Sequence, residues 1–270
     1  MESFSDFQRG IWRGMWQLFL IAGLFGALIG SFLNVCIYRL PRQESIVWPG
    51  SHCPSCSKPI AWYDNVPILG YLMLAGRCRV CSVSIPLHYP LVEALNAAGY
   101  LAVLWYFGPT IEAAVYAVLL SALLVMAGTD LSHKIIPNAV TYPGMILGLV
   151  SGALLLPLGL LNSLIGLLVG GGILWLLAWA SPYLFGKEGM GGGDIKLLAM
   201  IGAFLGWKLA LMTIMIGSLV GSVVGVSLLA AKIITREEYI PFGPFLVLGA
   251  IVSMFFGMPI LEWYQGLLAG

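Results

Sequence analysis

Charge is scarce in this chain. Only 9% of its 270 residues are Asp, Glu, Lys or Arg, the formal net charge is +1, and there are three histidines. A near-neutral balance gives no electrostatic reason for a nucleic-acid partner, and none is expected. A glycine-rich nucleotide fingerprint following a strand is also missing, as is the matched pair of broken hydrophobic segments that marks an inverted-repeat transporter. A small-residue cleavage site behind the first apolar run is lacking as well. The run from Trp16 to Tyr38 leads instead into Arg39-Leu40-Pro41-Arg42, so it is expected to be a retained helix and not a removed signal. What remains is apolar: 60% hydrophobic residues and a mean hydropathy of +0.95, the composition of a polytopic membrane protein embedded in a lipid bilayer.

Apolar runs of membrane-crossing length predict an all-α protein with about eight transmembrane helices, near 16–38, 90–107, 112–128, 138–157, 160–181, 195–207, 209–231 and 242–264. The sixth is short, because only about a dozen residues separate Asp194 from the turn Gly206-Trp207-Lys208; it must be short, tilted or re-entrant, and hydropathy alone would permit seven spans. With eight, the stretches 39–89, 129–137, 182–194 and 232–240 share one side. That side carries Arg39, Arg42, Lys58, Arg77, Arg79, Lys134, Lys187, Lys196, Lys232 and Arg236, against Arg9, Arg13 and Lys208 opposite. The excess of positive residues places it in the cytoplasm. The expected organisation is an N-terminal segment with the first helix (1–38), a cytoplasmic loop (39–89) and a membrane domain (90–270). Glycines recur every four residues in several spans, Gly217, Gly221 and Gly225 among them, a spacing that suits close helix packing in lipid.

The loop 39–89 carries four of the five cysteines, as Cys53-Pro-Ser-Cys56 and Cys78-Arg-Val-Cys81. Two such knuckles can present Cys53, Cys56, Cys78 and Cys81 tetrahedrally to one Zn2+. A fifty-residue insertion has little core of its own, and a metal cross-link would order it. Disulfides or a thiol redox pair are the competing readings; a cytoplasmic location disfavours stable disulfides. Four thiolates leave no open coordination position, so the zinc would be structural. His52 is an ordinary surface histidine on this reading, and Cys36 an inert buried thiol.

Two carboxylates stand out, because an ionised aspartate at the end of a long apolar run is costly. Asp130 is expected to open a short connector, 130–138, between two spans. Asp194 ends the string Gly189-Met190-Gly191-Gly192-Gly193-Asp194. The glycines, Gly191 and Gly193 in particular, permit backbone conformations closed to other residues and would let an extended peptide approach. Two adjacent carboxylates cannot both ionise cheaply, so one holds a proton while the other acts as base. A water between them could then attack a peptide carbonyl. The bland alternatives are that each aspartate caps a helix or pairs with Lys134 or Lys196. Lys196 could equally hold Asp194 ionised, His133 could tune Asp130, and Pro241-Phe242-Gly243-Pro244 could punctuate the last helix or line the cleft. A cation-coupled transporter with a zinc-bound regulatory loop is the rival from another class.

At this point the motifs match a family. Gly30-Ser-Phe-Leu-Asn34-Val-Cys-Ile-Tyr-Arg39-Leu-Pro41, the two knuckles around Trp62-Tyr63-Asp64-Asn65-Val66-Pro67, Tyr89-Pro90-Leu91-Val92-Glu93, Asp130-Leu131 with Ile136-Pro137, Gly191-Gly192-Gly193-Asp194-Ile195-Lys196 and Pro241-Phe242-Gly243-Pro244 follow the order found in type IV prepilin peptidases. The chain resembles these bifunctional leader peptidases and N-methyltransferases, which belong to the GxGD intramembrane aspartyl proteases. The resemblance implies Asp130 and Asp194 as the catalytic pair and Cys53, Cys56, Cys78 and Cys81 as the zinc cluster. It also implies prepilin or pseudopilin substrates cut at the cytoplasmic face of the bacterial inner membrane, and S-adenosylmethionine as methyl donor. Two positions depart from the pattern: His88 stands where arginine is expected, and Asn138 where many relatives have aspartate.

Overall fold

The computed structural model describes residues 4–185, 191–235 and 240–269. Its helices are α1 (Phe4–Arg39), α2 (Leu69–Met73), α3 (His88–Phe107), α4 (Ile111–His133), α5 (Asn138–Leu154), α6 (Leu160–Phe185), α7 (Gly192–Ala230) and α8 (Gly243–Ala269). The described residues form no extended strand, only the isolated bridges His52 to Pro59 and Arg77 to Ser84, in agreement with the expected all-α class. Five helices are long and apolar enough to cross a membrane: Met15–Arg42, Ile111–His133, Leu160–Tyr183, Gly192–Ala230 and Gly243–Leu267; α5 is a shorter apolar helix. This is a multi-pass membrane protein.

The chain divides into two compact units, Met1–Ser121 and Ala122–Gly270, with α4 running through the division. In the first unit α1 packs on α3 through glycine. A side chain on Gly30 would meet the backbone of Glu93 at 2.7 Å, and one on Gly26 the backbone of Ala97 at 2.9 Å. Asn96 crosses the same seam, donating to the Gly26 carbonyl at 2.7 Å and accepting from Ser121 Oγ at 3.0 Å. In lipid no apolar driving force distinguishes helix from tail, so close backbone approach and such bonds hold the pair.

In the second unit α7 does not run straight. Gly206 has φ 79 and ψ 171, a non-helical conformation that glycine tolerates. On the near side of this break α7 packs on α5 and α6: Gly148 faces Ala203 and Phe204, and Gly166 and Gly202 press on each other's backbones. Beyond it, a Cβ on Gly217 would stand 3.0 Å from the Phe245 carbonyl oxygen of α8 and one on Gly221 3.2 Å from the Phe245 ring. A straight helix would put Asp194 and Gly217 roughly 34 Å apart at 1.5 Å per residue. They nevertheless lie near one another, because Gly243, two residues before Phe245, is hydrogen-bonded to Asp130, and the connector that follows Asp130 packs through Ile136 on Gly193. The chain therefore doubles back at Gly206, as expected from the turn Gly206-Trp207-Lys208, and α7 supplies two of the helical segments expected from the sequence.

One boundary needs correction. The connector expected from Asp130 onward begins later, because α4 continues through His133. Nothing between Thr129 and His133 breaks a helix; the break comes at Lys134, whose φ is 55, just before the residues that Pro137 biases away from helix.

Candidate active site and four-thiol module

Asp130 lies in the last turn but one of α4 and Asp194 in the first turn of α7, each 4% exposed. Asp130 sits inside α4 near its C-terminal end and so does not cap the next helix, α5; the helix start it bonds is that of α8. The two acidic segments meet directly: a side chain on Gly193 would stand 3.0 Å from Ile136 Cβ, so the α4–α5 connector packs on the residue before Asp194. Among the described residues no side chain hydrogen-bonds Asp194. Asp130 Oδ2 accepts a hydrogen bond of 2.9 Å from the Gly243 N–H at the start of α8.

The glycine string earns its place differently from the expectation. Gly191 is extended, with φ −75 and ψ 142, and Gly192 and Gly193 are helical. None of the three has a positive φ, so the special-backbone argument is corrected at these positions. What Gly193 supplies is close approach to Ile136, while a side chain on Gly192 would meet nothing within 4 Å. Gly189 and Met190 lie outside the described residues.

Lys196 donates to Asn138 Oδ1 at 2.8 Å and lies 5.5 Å from the centre of the Tyr142 ring, so it ties the start of α7 to the start of α5. Asn138, one of the departures from the family pattern, thus receives a cation. His133 Nδ1 lies 2.8 Å from Ser132 Oγ and points to a local partner. Gly243 is the site residue that sequence reasoning left among the helix punctuation. Its only signal was the Pro-Phe-Gly-Pro bracket, which does not say where a peptide N–H will point.

In the first unit the four thiols converge. Sγ atoms of Cys53, Cys56, Cys78 and Cys81 all lie within 4.8 Å of one another, and every cysteine is a free thiol. Cys53 and Cys81 sulfurs are 3.8 Å apart, the edge of a tetrahedron whose arms are about 2.3 Å, the zinc–thiolate distance. The residues fit a single metal ion.

Each knuckle is built identically. Cys53 N–H donates to Lys58 O at 3.0 Å and Ser57 N–H to Cys53 O at 2.8 Å; Cys78 N–H donates to Val83 O at 2.9 Å and Ser82 N–H to Cys78 O at 2.9 Å. The residue after each second cysteine is left-handed, Ser57 at φ 56 and Ser82 at φ 57. The N–H groups of Cys81 and Val80 pull the Cys78 thiol down to about 6. Cys81, although the Val83 N–H acts to lower it, is pushed up to about 12 by desolvation and its neighbouring thiols. Without metal the cluster thus takes one negative charge readily and resists the next; a cation removes that conflict.

Three contacts seat this loop on its helices. Arg39, buried, donates to Ser45 O at 2.8 Å and Gly50 O at 3.3 Å. Asn34 Nδ2 donates to Tyr89 O at 3.0 Å. Glu93 accepts the Ile68 N–H at 2.7 Å, so it contacts the loop rather than the aspartates. His52 Nδ1 lies 3.0 Å from the Gly50 carbonyl, in keeping with a surface role.

Buried paired carboxylates on helices of membrane-spanning character, with a four-thiol module behind the first helix, define a class of multi-pass membrane proteins. Comparison with known proteins narrows it. Residues 24–107 match the Bacterial Peptidase A24 N-terminal domain and residues 117–226 the Type IV leader peptidase family, one match over most of each unit. The chain is 36% identical over 266 residues to the prepilin leader peptidase/N-methyltransferase of Pseudomonas aeruginosa, covering 89% of this chain and 91% of that one. It is 40% identical over 266 residues to the protein of the same name in Xanthomonas campestris pv. campestris, covering 90% and 92%. No solved structure matches the chain. The chain belongs to the type IV leader peptidase family, and the transporter reading is without support.

Proposed function

We propose that this protein is a prepilin leader peptidase of the bacterial inner membrane, in which Asp130 and Asp194 form the catalytic pair at the cytoplasmic face. The observation that supports the reading is two buried aspartates on segments that pack together, the connector after α4 touching Gly193 through Ile136, with Lys196 hydrogen-bonded to Asn138. One carboxylate keeps a proton and the other takes one from a water molecule between them. The hydroxide equivalent adds to the scissile carbonyl while the protonated partner donates to its oxygen. Collapse of the tetrahedral species returns that proton to its carboxylate and expels the amine, whose nitrogen takes the proton removed from water, so the pair ends with one proton again and no covalent enzyme intermediate forms. The pair titrates as a unit. Gly191 and Gly192, both exposed, bring bare backbone to the approach of an extended substrate segment, while Gly193 seats the start of α7 on Ile136. Lys196 fixes the start of α7 on α5.

The substrate class is a prepilin or pseudopilin whose basic leader lies in the cytoplasm and whose following helix is apolar. The proposed division is the first helix up to 38, the metal module 39–89 and the protease domain 90–270. Zn2+ would be held by Cys53, Cys56, Cys78 and Cys81, where it supplies a structural cross-link. The names of the relatives also imply N-methylation of the new N-terminus with S-adenosylmethionine as donor. Among the described residues the open cavity of about 670 Å³ is lined by Val226, Leu229, Ala230, Lys232, Ile234 and Thr235.

The test is mass spectrometry of a leader-bearing pilin precursor after incubation with the purified protein. Wild type yields a shortened chain with one new N-terminus, whose mass also reports methyl addition. An intact precursor from active-folded wild type, or cleavage that survives Asp130→Asn, overturns the reading.

A further inference from the structure

The first residue of α8 stands in direct contact with one aspartate, although nothing in the reaction scheme above requires a third helix. The N–H groups at a helix start have no partner within the helix, and Pro244 has no N–H at all. The Gly243 N–H is such an orphan, and it is aimed at Asp130 Oδ2 in a buried bond of 2.9 Å. A side chain at 243 is excluded: a Cβ there would stand 2.6 Å from Asp130 Oδ2, 3.1 Å from its Cγ and 3.3 Å from its Cβ.

The height of Gly243 is fixed by the α7–α8 seam. A Cβ on Gly217 would stand 3.0 Å from the Phe245 carbonyl oxygen and one on Gly221 3.2 Å from its ring, and Gly249 packs on the Thr213 carbonyl. Leu246 and Ala250, both 0% exposed, complete the contact face of α8. A slide of α8 by one residue would move the amide about 1.5 Å along the axis and break the bond.

We infer that Gly243 is a positioning residue of the active site, its peptide N–H holding one carboxylate oxygen of Asp130 so that the other alone faces the reacting water. The inference rests on the aspartate-pair reading and adds a third helix to it. Binding one oxygen stops the carboxylate from rotating, and pre-oriented groups react faster than mobile ones.

The experiment replaces the Phe242–Gly243 peptide with an ester, by placing glycolic acid at 243, which deletes the N–H and adds no atom. The kcat for precursor cleavage is expected to fall about 10- to 100-fold, the effect of one hydrogen bond to a charged group, with KM changed less than about twofold. Gly243→Ala is expected to lose more, through the clash with Asp130. Gly266→Ala, where a Cβ would meet nothing within 4 Å, serves as the control with unchanged kcat. If Gly243→Ala fails to fold, the ester form still decides. An ester enzyme with wild-type kcat, or one whose loss lies wholly in KM, overturns the inference. Cleavage retained by Asp130→Asn would instead overturn the aspartate-pair reading, so the two failures are distinct.

Discussion

The two units treat buried polarity in opposite ways. In Met1–Ser121 the buried polar side chains are paired across elements: Arg39 with two loop carbonyls, Asn96 with Gly26 and Ser121, and Glu93 with the Ile68 N–H. Each such bond names a particular neighbour, so the unit is specified by polar pairing and a candidate metal cross-link. In Ala122–Gly270 several buried hydroxyls turn back on their own chain segment, and those of Ser163 and Ser253 have no hydrogen-bond partner among the described residues. Thr129 donates to Val125 O, Thr141 to Pro137 O, Ser151 to Gly148 O and Thr213 to Leu209 O. There the helices meet through glycine and alkyl surface, and the carboxylates are left with few partners. The contrast shows that a scaffold can be pinned by satisfied polar groups, whereas a reactive pair must be kept underpaired, since a carboxylate fully bonded to donors is a weak base.

The largest effect that would break this comparison is loss of the aspartates. Asp130→Asn and Asp194→Asn should each lower cleavage by about 10² to 10⁴ or more, the range for a lost acid or base. The double variant should be no worse than either single one, because the pair acts as a unit. Metal content should stay at the wild-type value, and a fall measured by elemental analysis would show that the units are not separately specified.

A smaller effect is expected from glycine packing. Gly202→Ala places a methyl group against the Gly166 backbone and should destabilise the second unit by about 1–3 kcal/mol, the usual result of overpacking. Thermal inactivation of the detergent-solubilised protein measures it. An equal loss from Gly172→Ala, where a Cβ meets nothing within 4 Å, would remove the packing explanation.

Cys53→Ser should abolish stoichiometric metal binding and open residues 39–89 to protease, while cleavage falls less than in the aspartate variants. Limited proteolysis beside the activity assay separates the two readouts. Loss of cleavage as complete as in Asp194→Asn would mean that the module does more than provide structure.

The smallest effect lies at Asp64, whose oxygens accept bonds of 2.7 and 2.6 Å from Arg79. Hydrogen bonding to that guanidinium holds the Asp64 carboxyl below its ordinary range. A depressed carboxyl contributes stability that is present above the unfolded pKa, about 3.9, and is lost as pH falls through the folded value. Wild type and Asp64→Asn should therefore differ by a constant small amount above about pH 5 and converge below about pH 4. Hydrogen exchange in residues 60–80 at the two pH values checks the sign.

Much of the site was legible because it is written in side chains at diagnostic spacing. The two knuckles announce four ligands, and aspartates bounding apolar runs announce themselves by their cost. The break at Gly206 was legible from the turn Gly206-Trp207-Lys208, although hydropathy alone left it open. The end of α4 was not, since Thr129 to His133 carries neither glycine nor proline and hydropathy falls before the helix does. Lys196 was placed beside Asp194 by sequence proximity, yet its hydrogen-bonding partner is Asn138, because Asn138 is brought close only when α5 packs on α7. Glu93 stood only in a motif string, and its partner, the Ile68 N–H, comes close only on folding.

By itself the sequence determined the class, the membrane-bound all-α architecture, the four thiols and the two carboxylates, because hydropathy, charge and ligand type are properties of residues in order. Tertiary structure alone decided that the Gly243 peptide meets Asp130, that Glu93 holds Ile68, and that Gly193 owes its place to Ile136 and not to an unusual backbone. Those contacts depend on helix register between distant segments, and backbone N–H groups and missing Cβ atoms carry no residue-specific signal until the helices are packed.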